Sequence, residues 1–308
     1  MQAIGRPGRG DLVAGVSVAL VAIPQSLAYA ELAGMPARYG LFAAALPSLL
    51  AALLVSSRYL QTGPVALTSL LTFGALSPLA TPASADYIEL AALLALLVGV
   101  LRLVLGLARL GRVAYLLSGP VVIGFTTAAA ILIMSSQIPK VFDVEADEGG
   151  VLQDAFHVLV NPADWHWAAV GFSTITFVAV FGGRRIHRLF PGVLLAVVVG
   201  ILVSAVTGYG GSVVGELAGG FVSLGFDFQW SSTAELLLPA AVIALIGFAE
   251  PSAIARTFAA IDNERWDADR ELVSQGVANL AAGVSGAFPV GGSFSRSALN
   301  RLAGAQTR

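Results

Sequence analysis

Ten apolar runs, at roughly 11–34, 39–56, 64–80, 87–107, 114–136, 166–182, 189–207, 235–256, 271–288 and 293–304, decide what this chain can fold into. A bilayer core of ~30 Å takes ~20 apolar residues per helix, so most of these runs read as membrane spans. The balance of the chain agrees. Of 308 residues 56% are hydrophobic and 12% charged, against ~25% charged in a soluble domain. That leaves too little polar surface to cover a soluble core. A net charge of −2 offers no basic patch for nucleic acid. The chain has no Cys, which removes disulfides, thiolate catalysis and Cys-ligated zinc. His157, His166 and His187 have no metal-ligand spacing, and no cofactor motif is present. The first run follows Arg6 and Arg9 but is long and is broken by Pro24, Gln25 and Glu31, unlike a cleaved signal peptide.

Arginine placement sets the orientation. Flanks carrying Arg6/Arg9, Arg58, Arg109/Arg112 and Arg184/Arg185/Arg188 alternate with arginine-poor ones. The arginine-poor stretches hold Asp143, Glu145, Asp147 and Glu148 after the fifth run, and Glu216 and Asp227 after the seventh. The N-terminus is therefore expected in the cytoplasm, as is the highly charged loop Asp262–Glu271.

Two runs are poor simple spans. One opens at Gln61-Thr62-Gly63-Pro64 and the other at Pro289-Val290-Gly291-Gly292-Ser293. Irregular backbone at membrane depth is tolerated only where protein or a water-filled cavity covers it. A pair of short, Gly/Pro-interrupted segments in matching halves points to a transporter binding site. By parity the two short helices enter from opposite sides, so their N-termini face one another near mid-membrane. Each N-terminus carries free N–H groups and about half a positive charge, which suits an anion. The plainer alternative is two ordinary spans kinked by Gly-Pro.

Few ionisable groups lie within the runs, and such groups are costly unless they work. Glu250, in Gly247-Phe248-Ala249-Glu250-Pro251, is a lone carboxyl where ionisation is expensive, which suits proton coupling; a structural bond to backbone freed by Pro251 is the alternative. Arg296 lies in the first turns of the second short helix, where it opposes the helix dipole unless an anion sits between them. Its alternatives are snorkelling to the cytoplasm or pairing with Glu250. Gln25 and Tyr29 share one face of the first helix and are site residues or helix–helix glue. Glu31, Glu89 and Arg102 are expected to snorkel near span ends, and Arg38-Tyr39-Gly40 reads as a turn. No GxSxG nucleophile elbow with a plausible His occurs, so an enzyme is not expected.

Four stretches together resemble the sulfate permease (SulP) family of anion transporters. They are Pro24-Gln25-Ser26-Leu27-Ala28-Tyr29-Ala30, Thr62-Gly63-Pro64-Val65-Ala66-Leu67-Thr68-Ser69-Leu70, Gly247-Phe248-Ala249-Glu250 through Arg256, and Gly292-Ser293-Phe294-Ser295-Arg296-Ser297-Ala298-Leu299-Asn300. They fall in family order over the whole chain. The resemblance implies an all-α polytopic membrane protein, an inverted-repeat transporter of the 7+7 type, with two short half-helices meeting at mid-membrane. It implies core elements at 11–107 and 235–304, gate elements at 114–207, and a homodimer in the full-length form. Site lining carried over by the motifs is Gln25, Tyr29, Val65, Ala66, Ser293, Phe294, Ser295 and Arg296, with Glu250 as the proton-coupling carboxylate.

The sequence departs from the family pattern at Pro251, where a serine is common, and by stopping at Arg308. An incomplete second repeat and the absence of a C-terminal STAS domain are therefore expected. The leading function is proton-coupled transport of sulfate or a related oxyanion across a bacterial inner membrane. A bicarbonate or dicarboxylate transporter of the same fold, and a non-transporting fragment, remain open. A nucleobase permease would want carboxylates in both the eighth and tenth segments, and the tenth offers Arg296 and serines instead.

Overall fold

The structure is a computed structural model and describes residues 8–111, 119–145, 150–186, 190, 192–211, 213, 224–225 and 228–307. Arg6, Arg112, Asp147, Glu148, His187, Arg188, Glu216 and Asp227 lie outside these residues. The helices are α1 (Arg9–Leu32), α2 (Arg38–Leu54), α3 (Ala66–Leu76), α4 (Ala85–Leu107), α5 (Gly119–Phe142) and α6 (Val151–Val160). They continue with α7 (Trp167–Ile186), α8 (Gly192–Thr207), α9 (Thr233–Asp262), α10 (Ala268–Val284) and α11 (Phe294–Leu302). Each of the ten apolar runs has its helix. Helix α6 is an addition, in the stretch after the fifth run. Its apolar positions are interspersed with Gln153, Asp154 and His157, so it never forms a run. Among the described residues α1, α4 and the stretch Trp230–Asp262 are long and apolar enough to cross a bilayer on their own.

Two extended segments, β1 (Gln61–Gly63) and β2 (Gly291–Ser293), pair antiparallel with Gln61 opposite Ser293 and Gly63 opposite Gly291. Sequence reasoning expects irregular backbone here. The ladder instead pairs the facing peptide groups of the two segments, and side chains take others: the Gln61 N–H donates to the Ser297 hydroxyl and the Thr62 carbonyl accepts from the Ser48 hydroxyl, as a low-dielectric interior requires. Arg38-Tyr39-Gly40, read as a turn, forms the first three residues of α2.

The chain divides into two compact units, Met1–Ser118 with Leu217–Arg308, and Gly119–Glu216. In the first, α4 is the central helix: Leu93, Leu94, Ala95 and Val98 are completely buried. It packs against α10 at backbone distance. A Cβ on Gly99 would lie 2.6 Å from the Leu280 nitrogen, and one on Gly276 would lie 2.7 Å from the Leu103 nitrogen. Small residues let helices approach this closely where no hydrophobic effect drives them together. In the second unit, α5 packs on α6 and α7, and α7 on α8.

Helix α10 has a polar stripe that holds the ladder in place. The Gln275 amide donates to Thr62 Oγ1 (2.7 Å). Asn279 donates to the Val290 carbonyl (3.0 Å) and accepts from the Val290 N–H (3.0 Å). At the start of α10, Glu271 is fully buried and accepts from the N–H groups of Ser56 and Ser57. The charged loop before it is likewise tied down, by Arg58–Glu264 and Arg301–Asp262 pairs, each at 2.5 Å.

Candidate anion-binding site

Every expected site residue lies in the first unit. The ladder fixes their arrangement. Because β1 and β2 run antiparallel and each leads into a helix, α3 and α11 leave the ladder in opposite directions with both N-termini beside it. Close approach to α9 needs the glycines: a Cβ on Gly292 would lie 2.7 Å from Pro251 Cβ. The expected pair of convergent half-helices is thus present.

The N-terminus of α3 is open, since its cap, Val65, has no side-chain acceptor. The first N–H groups of a helix have no partner within it. Val65 is buried and Ala66 partly so. The N-terminus of α11 is partly used. Ser293, also buried, accepts from the Arg296 N–H through its hydroxyl (3.4 Å). The Phe294 N–H donates to the Glu250 carboxylate. Phe294 and Ser295 are themselves exposed.

Arg296 is 2% exposed, so it does not snorkel. Its guanidinium donates to the Pro64 carbonyl (2.7 Å), which spans from α11 to the residue pair leading into α3. It makes no ion pair within 4.0 Å with Glu250, but Tyr29, Glu250 and Arg296 interact electrostatically. Three helices, α1, α9 and α11, therefore bring a phenol, a carboxyl and a guanidinium to one place. Gln25, one turn before Tyr29, keeps a buried side-chain oxygen with no partner among the described residues.

Arg102 overturns an expectation. Rather than snorkelling, it is completely buried. Its Nε donates to the Ala244 carbonyl (3.2 Å), Nη2 to Ile243 (2.9 Å) and Nη1 to Val290 (3.0 Å). It lies five residues before the end of α4, so depth along the span suggests the surface, yet α9 and the residue just before β2 enclose it. Glu31 and Glu89 are exposed, as snorkelling requires. Arg102, Gln275 and Asn279 are parts of the site's framework that motif reading passed over. A long polar side chain within an apolar span was the signal available for Arg102.

The sulfate permease family model matches residues 9–308. The chain belongs to the sulfate permease family. The members of this family are permeases, not enzymes. A Mycobacterium tuberculosis protein named "Probable sulfate transporter" is 36% identical over 306 residues, covering 97% of this chain and 54% of that protein. The chloroplastic sulfate transporter 4.1 of Arabidopsis thaliana is 34% identical, covering 96% of this chain and 45% of that protein. The chain spans about half the length of these curated relatives. Among solved structures, the murine anion transporter Slc26a9 in its inward-facing state superposes with a TM-score of 0.87 at 23% identity, covering 99% of this chain and 55% of that one. The transmembrane domain of the cyanobacterial bicarbonate transporter BicA gives 0.85 at 22%, covering 97% and 77%. This sulfate permease fold is thus an inverted-repeat, helical membrane architecture.

Proposed function

We propose that the chain carries the transport domain of a proton-coupled secondary transporter for sulfate or a related oxyanion. The observation that carries the reading is the ladder that sets the N-termini of α3 and α11 together beside a buried Arg296. Backbone N–H groups, two helix dipoles and a guanidinium make a site for a negative charge. The site lining is Gln25, Tyr29, Val65, Ala66, Ser293, Phe294, Ser295 and Arg296. The names of the relatives support sulfate as the anion.

Glu250 supplies the coupling in this reading. Its carboxylate already takes the Phe294 N–H and attracts Arg296, two groups an incoming anion needs. Ionised Glu250 and the anion therefore compete for one set of donors. Protonation removes the competitor, so anion and proton enter together. Elements 11–107 and 235–304 form the moving core and 114–207 the gate, and the division of the chain into two compact units supports that assignment. The full-length protein works as a homodimer in the bacterial inner membrane with its N-terminus in the cytoplasm.

The test is uptake of labelled sulfate by liposomes holding the full-length protein, at two external pH values. Accumulation that rises as external pH falls fits the proposal. Uptake of bicarbonate with none of sulfate would favour the alternative suggested by the fold shared with BicA. Uptake of neither would refute transport by this site.

A further inference from the structure

Arg102 is a buried charge with no counter-ion among the described residues. All three of its hydrogen bonds end on backbone carbonyls, those of Ile243, Ala244 and Val290. Two carboxyls withdrawn from solvent, the half-buried Glu250 and the fully buried Glu271, are committed elsewhere. Glu250 takes the Phe294 N–H and attracts Arg296. Glu271 takes the N–H groups of Ser56 and Ser57 and the Trp266 indole. Carbonyl dipoles solvate a guanidinium but leave its charge in place. An unpaired buried charge is expensive, and neutralising it is strongly favourable.

The location of this charge gives it a use. A Cβ on Gly247 would lie 2.6 Å from Arg102 Nη2 and 3.2 Å from the Thr68 methyl, so guanidinium, α9 and the first turn of α3 meet around Gly247. Val290, which accepts from Nη1, immediately precedes β2 and hence the start of α11. The cation thus stands beside the first turn of α3 and against the residue that leads into β2. We propose that Arg102 is the fixed rear cation of the anion site and that it sets the preference for divalent over monovalent anions. The proposal rests on the anion-transport reading above and adds the charge class of the substrate. With Glu250 ionised, Glu250, Arg296 and Arg102 sum to one positive charge. With Glu250 neutral they sum to two, the charge of sulfate reversed.

The experiment measures equilibrium binding of sulfate and of bicarbonate to the full-length protein in detergent, near pH 8. It compares the unaltered protein with Arg102→Gln and Arg102→Lys. Coulomb energy scales with ligand charge, so loss of the charge costs a divalent anion about twice as much on a logarithmic scale. If Arg102→Gln weakens bicarbonate about threefold, sulfate is expected to weaken about tenfold. Arg102→Lys keeps the charge and is expected to hold the sulfate-to-bicarbonate ratio even if both affinities fall. Equal losses for the two anions in folded Arg102→Gln would overturn the proposal and leave Arg102 a brace for the ladder. Should Arg102→Gln not fold, Arg102→Lys decides: a maintained ratio supports the proposal and a collapsed ratio overturns it. Absence of binding of either anion by the unaltered protein would overturn the functional reading along with it.

Discussion

Replacing Glu250 with Gln separates the two halves of the proposed coupling. The side chain keeps its size and an acceptor oxygen, but it can no longer ionise. In the native chain the carboxylate holds the Phe294 N–H and attracts Arg296. A hydrogen bond to a charged group contributes ~1.5–3 kcal/mol, and that much must be given up when an anion takes the same donors. Each 1.4 kcal/mol is tenfold in affinity, so Glu250→Gln is expected to bind sulfate roughly 10- to 150-fold tighter at alkaline pH. The sign follows from the competition. At high pH the native carboxylate is ionised and occupies the donors, so sulfate binds weakly. As the pH falls the group becomes neutral and binding strengthens. The variant behaves at every pH as the native protein does when protonated, so its pH slope disappears. Calorimetric titration with sulfate across a pH series gives the slope directly. Liposome uptake gives the companion result: accumulation driven by a pH gradient is lost, while sulfate exchange at equal pH persists. A variant that retains the native pH dependence of sulfate binding would refute the competition mechanism.

Other expected outcomes bear on the framework of the site. Arg296→Ala removes a guanidinium that bridges α11 to the Pro64 carbonyl, and should weaken sulfate far more than bicarbonate in competition assays. Arg296→Lys should restore part of the charge effect without the two-pronged geometry. Ala66→Asp puts a fixed negative charge at the start of α3, and calorimetry should then find sulfate binding lost in a protein that still folds. Asn279→Leu leaves the buried Val290 N–H without its acceptor, so thermal unfolding in detergent should show a loss of about 1–3 kcal/mol. Gly276→Val sets a side chain against α4 backbone 2.7 Å away; unchanged stability would mean the α4–α10 seam is looser than described.

The membrane architecture was legible in the sequence because its signals are local. Run length gave ten helices, and Gly-Pro and Gly-Gly punctuation located the two short ones. The four motifs pointed to Gln25, Tyr29, Glu250 and Arg296 as one site, and the structure brings Tyr29, Glu250 and Arg296 near enough to interact electrostatically. Hydropathy also missed something local. Helix α6 is too short and too mixed in polarity to register as an apolar run.

What the sequence left open depends on partners far apart in the chain. Position along α4 gives the depth of Arg102 but not what faces it. Only packing against Ile243, Ala244 and Val290, more than 140 residues on, makes it a buried cation instead of a snorkelling one. Glu271 sits in a charged loop by composition, and tertiary structure turns it inward onto the Ser56 and Ser57 N–H groups, more than 200 residues back. The ladder itself joins segments about 230 residues apart. A three-residue strand has no periodicity to read, and Gly-rich backbone is extended only because another strand is there to satisfy its peptide groups. The sequence therefore determined where the chain crosses the membrane and where its helices break, since those follow from the solvent each segment prefers. The tertiary structure alone decided which charges are buried and which groups face them, because burial and pairing depend on what the fold brings alongside.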